Sequence, residues 1–134
     1  RAYFGRLSRP LLDRIDVCVQ VPRIKYEDMV YDGKDLYTNE YMRSTVGRVF
    51  NIQKERFADE KYSLNSSIPA ADVSRYCILD REAENLMNSI YDSCDLSARG
   101  YHKLLKVART IADIDGSEYI MAEHICEASG YRMV

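Results

Sequence analysis

Residues 96–113, LSARGYHKLLKVARTIAD, predict a long amphipathic helix whose two ends can be identified. Ser97 suits the N-cap, and Gly116, just beyond the stretch, suits a C-terminal cap. Apolar side chains recur at spacings of three and four, as on the buried face of a helix: Tyr101, Leu104, Leu105, Ala108, Ile111 and Ala112. A helix with one apolar face needs other elements to cover it.

The same spacing predicts helices on both sides of this stretch. One runs from about Asn39 to Ala58, and a short one begins at Pro69. Asp80 is a candidate N-cap for the next, and the last runs from about residue 121 to 131. The inward residues are predicted to be Met42, Val46, Val49, Phe50, Gln53 and Phe57 in the first, Ala83, Leu86, Met87, Ile90 and Cys94 in the third, and Ile125 and Ala128 in the last.

One segment near the N-terminus has the period of a strand instead. Residues 15–22, IDVCVQVP, alternate apolar and polar side chains, include β-branched residues and end at Pro22. One strand cannot form a sheet alone, and the linker after it carries a candidate turn at Asp32-Gly33. The predicted fold is therefore mainly α, a small helical bundle preceded by a short β-strand stub.

Length and composition exclude several classes of protein. The chain has 134 residues, of which 46% are hydrophobic and 30% charged, as in one globular domain, or one domain plus a fragment of another. The net charge of −2 excludes a strongly basic nucleic-acid module. Basic charge is local: residues 1–25 carry six Lys and Arg against two Asp. The chain begins at Arg1 without Met, and we expect it to be a piece of a longer protein that starts within a fold.

The sequence contains no motif of a complete catalytic or metal site. It has no glycine-rich phosphate loop, no serine nucleophile elbow and only two histidines, which is too few for a zinc site or a catalytic triad. The four cysteines form no C-x-x-C pair, and we expect them to be reduced. By itself the chain is not expected to be a complete enzyme or to hold a metal.

Arginine and lysine positions give the strongest functional signal from the residues alone. Arg99 falls in the first turn of the helix that Ser97 caps, where the helix dipole disfavours a cation by a few tenths to ~1 kcal/mol. Lys103 and Lys106 follow on the same face. This pattern fits contacts with phosphate or DNA, but spacing alone favours a solvated basic face by about two to one.

Three segments resemble the C-terminal part of magnesium-chelatase-like AAA+ ATPases of the ComM/YifB type. They are SRPLLDRID at residues 8–16, LSARGYHKLLKVARTIAD at 96–113, and the closing Glu127-Ala128 with Tyr131-Arg132. Between them, Arg43, Val46, Gln53, Arg56-Phe57 and Asn65 match the same family. The run Arg-Thr-Ile-Ala-Asp is specific, whereas Pro-Leu-Leu-Asp-Arg is shared more widely with chelatase subunits and MCM helicases. The resemblance covers essentially the whole chain.

The resemblance implies roles for two arginines. Arg14 occupies the place of the arginine finger, which reaches into the ATP site of the neighbouring subunit. Arg99 occupies the place of the second sensor, which contacts nucleotide phosphates, and a phosphate there would offset the unfavourable helix position. Lys103 and Lys106 are candidate phosphate or DNA contacts beside it.

The resemblance also implies an organisation. Residues 1–25 would be the end of the AAA+ α/β core, 26–38 a linker and 39–134 the helical lid domain. The Walker motifs are absent, so we expect this chain to be inactive alone and to bind no cofactor, whereas the longer protein would use ATP and Mg²⁺. That protein would be cytoplasmic, form a ring (a hexamer) of its own copies, act on DNA in branch migration and not bind membranes.

This sequence departs from the family at three positions, and other functions stay open. Arg9 stands where glycine is usual, Gly100 where alanine is usual, and Gly130 makes the final motif less regular. The alternatives are a motor subunit of a magnesium chelatase and a non-enzymatic helical interaction module.

Overall fold

The computed structural model describes residues 8–12, 14–30 and 37–132, without the side chains of Arg9 and Asp28. Within these ranges the two helices before residue 39 have four residues each, and the longer helices, of 9 to 18 residues, all lie after it. The helices are α1 (Arg9–Leu12), α2 (Tyr26–Met29), α3 (Asn39–Arg56), α4 (Val73–Tyr76), α5 (Arg81–Ser93), α6 (Ala98–Asp115) and α7 (Ala122–Gly130), with 3₁₀ turns at Asn65–Ser67 and Ala70–Asp72. The predicted helical bundle is confirmed.

The predicted helix caps are present because each depends only on local geometry. The Asp80 carboxylate accepts the N–H of Ala83 at 2.7 Å, and the Ser97 hydroxyl accepts the N–H of Gly100 at 3.0 Å. Gly116 ends α6 with φ of 71°, the left-handed conformation that glycine adopts without strain.

Helix α6 lies at the centre of the bundle. It packs against α3, α4, α7 and the turn at residues 65–67, and α5 covers α7. Five of the six residues predicted to face inward on α6 are buried, and Tyr101 is half-buried against the same core. The links before α5 and before α7 are joined by backbone bonds, Ile120 N–H to Ile78 O at 2.8 Å and Asp80 N–H to Ile120 O at 3.0 Å.

A buried polar network surrounds the carboxylate of Asp113. That side chain is 1% exposed and accepts from Arg56 at 2.8 Å, from Asn65 at 2.8 Å and from Arg109 at 3.1 Å. The backbone N–H of Asn65 donates to the Gln53 amide oxygen at 2.9 Å. One carboxylate on α6 therefore connects the end of α3 to the turn that follows it.

Arginines close the C-terminal end of α6. Arg109 is itself buried, and its remaining donors reach the carbonyls of Glu118 and Ser117 in the following loop. Arg48 of α3 donates to the carbonyls of Asp113 and Ile114 at 3.3 and 2.7 Å. Cations at this end satisfy the open carbonyls and oppose the negative end of the helix dipole.

Some sequence predictions differ from the structure. Residues 15–22 form no strand within the described chain, and their backbone is bonded to the helical part instead, with Cys18 N–H donating to Tyr131 O at 2.7 Å. On α3, Met42, Val46 and Phe50 are exposed, because the face that this helix turns to the core is the one carrying Val49 and Gln53. The predicted inward residue Cys94 is exposed as well. The candidate turn at residues 32–33 lies outside the described residues.

The four cysteines are free thiols in different environments. Cys77 is buried, Cys18 is half-buried, and Cys94 and Cys126 are exposed. Burial raises the pKa of the Cys77 thiol to about 11, so this group stays protonated and unreactive near neutral pH.

None of the helices in the described ranges has the length and apolar composition needed to cross a membrane.

Replacing Asp113 with alanine is expected to lower the free energy of unfolding by about 3–5 kcal/mol, because it leaves the buried Arg109 cation without its carboxylate. The measurement is urea unfolding of this chain. Asp59→Ala is the control, since Asp59 is exposed, and its effect should stay within about 0.5 kcal/mol. A loss below about 1 kcal/mol for Asp113→Ala would contradict the central place of this network.

Candidate functional site

A cavity of about 900 Å³ lies between the N-terminal segment, the turns at residues 66–70 and α6. Four cationic residues line it, and they are the four that the sequence selects: Arg14, Arg99, Lys103 and Lys106. They come from positions as far apart as 92 residues in the chain, so the fold brings them to one place.

The register of α6 explains why three of these cations share the cavity. Arg99, Lys103 and Lys106 are separated by four and three residues, so they project from one face of the helix. Leu104, Leu105 and Ala108 project from the opposite face and are buried in the core. Packing of the apolar face thereby fixes the direction of the basic face.

The cavity combines positive charge with apolar wall. Four cations and the carboxylates of Asp16 and Glu127 line it, which leaves a formal surplus of two positive charges. Apolar lining comes from Val17, Val107 and Ile111. Such a surface is suited to an anion that also carries an apolar or aromatic part.

Arg14 and Arg99 are exposed, and their side chains are available to a ligand. Within residues 8–12, 14–30 and 37–132, neither guanidinium group donates a hydrogen bond or joins an ion pair. A guanidinium presents a planar fork of donors that matches two phosphate oxygens at once. These two arginines can therefore bind and neutralise phosphate.

Both lysines of the cavity already hold backbone carbonyls. The Lys103 ammonium donates to Ile15 O at 2.6 Å and to Leu12 O at 3.4 Å. The Lys106 ammonium donates to Ser66 O at 3.3 Å. Their charges still add to the positive potential, and direct contact with phosphate or DNA stays a prediction.

The first turn of α6 carries a cation and no acidic side chain. Ser97 satisfies one of the free N–H groups. By contrast, the first turn of α5 carries Glu82 and Glu84. Helices favour acidic residues in their first turn, so the cationic first turn of α6 leaves a place for negative charge from outside the helix.

Two further residues of the cavity, His102 and Tyr131, were given no binding role from the sequence. His102 lines the wall one turn after Arg99, and the spacing of three residues is the signal that could have identified it. Tyr131 also lines the cavity, and its hydroxyl donates to Glu127 at 2.9 Å. This bond to the carboxylate raises the pKa of Tyr131. Tyr131 follows α7, so no spacing along α6 could have placed it at this cavity.

A second group of polar side chains lies at the α6–α7 junction. Asp115, Glu123 and His124 bring potential ligand atoms within 4.8 Å of one another. His124 Nδ1 accepts the N–H of Met121 at 2.9 Å, so the ring proton is on Nε2, facing Asp115 at 3.1 Å. A metal at Nε2 would have to displace that proton, so the geometry favours a hydrogen-bonded junction over a cation site.

The chain matches known protein families along its length. The model for magnesium chelatase, subunit ChlI C-terminal, matches residues 37–132, and that for magnesium chelatase, subunit ChlI, matches residues 1–29. Competence protein ComM of Haemophilus influenzae is 35% identical over 97% of this chain and 25% of that protein. The uncharacterized protein YifB of Escherichia coli is 32% identical over 98% of this chain and 25% of its own length. The chain thus spans about a quarter of the length of these curated relatives.

Removing the charge of Arg99 is expected to stabilise this chain. Arg99→Gln should raise the free energy of unfolding by roughly 0.3–1 kcal/mol, because it removes a cation from the positive end of α6. Arg81→Gln at the start of α5 is the matched control and should give no gain, since Asp80, Glu82 and Glu84 surround that arginine.

The same two variants test the anion preference of the cavity. In urea unfolding with added tripolyphosphate, at constant ionic strength, the wild-type chain should gain more stability than Arg99→Gln, because ligand binding to the folded state stabilises it. Equal gains in wild type, Arg99→Gln and Arg81→Gln would contradict an anion site at Arg99.

Proposed function

Because this chain belongs to the magnesium chelatase subunit ChlI C-terminal family, we propose that it works as the lid part of a ring-forming AAA+ ATPase. In this role Arg14 is the arginine finger and Arg99 the second sensor. Both would contact phosphates of ATP, and the ring, a hexamer, would consist of copies of the longer protein.

One observation carries this proposal: Arg14 and Arg99 line the same cavity. Two guanidinium groups on one cavity can reach one triphosphate. If the finger acts on the nucleotide of the neighbouring subunit, the second sensor acts on that same nucleotide. An arginine finger contributes roughly 10³–10⁵ in rate in other phosphoryl-transfer systems, by neutralising charge that develops on the transferred phosphate.

In this proposal the chain supplies cations, and the other groups needed for ATP hydrolysis come from outside this chain. ATP would bring Mg²⁺, which in such sites is held by Walker-type residues that this sequence lacks. The charge surplus of the cavity fits the phosphates, and its apolar wall fits the remainder of a nucleotide or a face of the neighbouring subunit.

The work done with ATP is proposed to be movement on DNA, as in branch migration. Similarity to a protein named for competence supports this reading. The family description supports the second candidate, a motor subunit of a magnesium chelatase that drives Mg²⁺ insertion into a porphyrin.

Subunit mixing tests the role of Arg14. Two forms of the longer protein are mixed in equal amounts and assayed for ATP hydrolysis: Arg14→Ala subunits, and subunits in which the Walker-type lysine of the ATP site is replaced. Each form should be inactive alone, and the mixture should regain activity at about a quarter of its interfaces, where a Walker variant supplies Arg14 to the intact ATP site of an Arg14→Ala neighbour. Arg23→Ala, in the same exposed segment but outside the cavity lining, should hydrolyse ATP without any mixing.

A mixture that stays inactive would contradict a finger acting across the subunit boundary. If Arg14→Ala and Arg99→Ala each leave hydrolysis unchanged, the chain is a helical interaction module.

The two candidate motors are separated by what stimulates ATP hydrolysis. The DNA motor predicts a several-fold rise with branched DNA, larger than the rise with linear duplex of equal length and charge. Stimulation by porphyrin-binding partner subunits, without any response to branched DNA, would favour the chelatase motor.

A further inference from the structure

Lys103 joins α6 to the segment that carries Arg14. Its ammonium donates to the carbonyl of Ile15 at 2.6 Å and to that of Leu12 at 3.4 Å. These two carbonyls lie on either side of Arg14 in the chain. A single side chain of α6 therefore holds the backbone around the proposed finger.

The backbone at Arg14 is itself folded into a turn. Arg14 N–H donates to Leu11 O at 3.0 Å, and Ile15 N–H donates to Leu12 O at 3.1 Å. Further along, Cys18 N–H donates to Tyr131 O at 2.7 Å. The segment is thus bonded at two places to the helical part of the chain, once through α6 and once at the end of α7.

Lys103 and Arg99 occupy successive turns of the same rigid helix. A displacement of α6 would therefore carry Arg99 directly and carry the Arg14 turn through Lys103. The neighbouring cation Lys106 has a different acceptor, Ser66, and does not touch this turn within the described structure.

We propose that Lys103 is a positioning residue that fixes the Arg14 turn to α6, so that the finger and the second sensor move as one unit. This rests on the proposed function, in which both arginines contact phosphate. Catalytic groups lose large factors in rate when they are displaced by about 1 Å, so loss of this anchor should lower kcat. Binding of ATP by the core should persist, which leaves KM nearly unchanged.

The anchor itself can be tested in this chain with Cys18 as the probe. Cys94 and Cys126, both exposed, are first replaced by serine, which leaves half-buried Cys18 and buried Cys77. Reaction of Cys18 with a thiol reagent should become at least several-fold faster in Lys103→Met. Lys103→Arg keeps donors for both carbonyls and should react at the original rate. Lys106→Met should also leave the rate unchanged.

Because Cys18 is also bonded to Tyr131, the amides of Arg14 and Ile15 report on the turn itself, and their hydrogen exchange should become several-fold faster in Lys103→Met. Unchanged exchange of these two amides overturns the anchor, and so does an equal rise in Lys106→Met. Far-UV circular dichroism and the urea midpoint establish that each variant is folded.

The catalytic consequence is measured in the longer protein. Lys103→Met should lower kcat about tenfold or more with KM within about twofold, and Lys103→Arg should restore most of it. Lys61→Met, at an exposed position of the turn after α3, is the control.

Separate results distinguish this inference from the proposed function. If Arg14→Ala and Arg99→Ala abolish hydrolysis while Lys103→Met does not, the positioning role is wrong and the proposed function stands. If neither arginine matters, the proposed function fails, and with it the catalytic role of Lys103, whatever the thiol rates are.

Discussion

The buried carboxylate of Asp113 ties helix α6 to the elements packed around it. Two arginines and an asparagine converge on it from α3, from α6 and from the turn at residues 65–67. A charge taken out of water is tolerated only when its partners surround it. Since these partners can meet at one rotation of α6, the network fixes that helix about its axis and thereby fixes which side chains face the cavity.

The cavity follows from this rotation. With the apolar face of α6 against the core, the basic face is turned toward the N-terminal segment, and the turns at residues 66–70 form another wall. The segment is held there by side chain and backbone bonds to α6 and Tyr131. The core and the cavity are therefore linked by contacts. The buried carboxylate orients α6, and α6 places Arg99, Lys103 and Lys106 at the cavity.

Local features could be predicted from the sequence, and features that depend on distant partners could not. The caps at Asp80, Ser97 and Gly116 are confirmed because each is made within one helical turn. The apolar spacing in α3 identified a helix but not which residues other elements cover, so Phe50 was placed inside and is exposed. The alternation in residues 15–22 indicated a strand, yet a strand needs a partner strand, and the described residues provide none.

The residues of the candidate site also differ in whether the local sequence can predict them. Arg99 could be identified because its place at a helix start is unfavourable by itself. Arg14 could be selected only through the family resemblance. The bonds of Lys103 reach carbonyls 88 and 91 residues away, and no pattern within one helix predicts such partners.

Mixing the two mutant subunits tests whether Arg14 and Arg99 of one subunit act on the same nucleotide, that of the neighbouring subunit. Arg14→Ala and Arg99→Ala forms of the longer protein are combined in equal amounts, allowed to exchange subunits, and assayed for ATP hydrolysis. If both arginines serve the neighbouring subunit's nucleotide, every interface lacks one of them and the mixture stays as inactive as either mutant. If Arg99 instead serves its own subunit's nucleotide, about a quarter of the interfaces regain both arginines and activity returns, which would contradict the account.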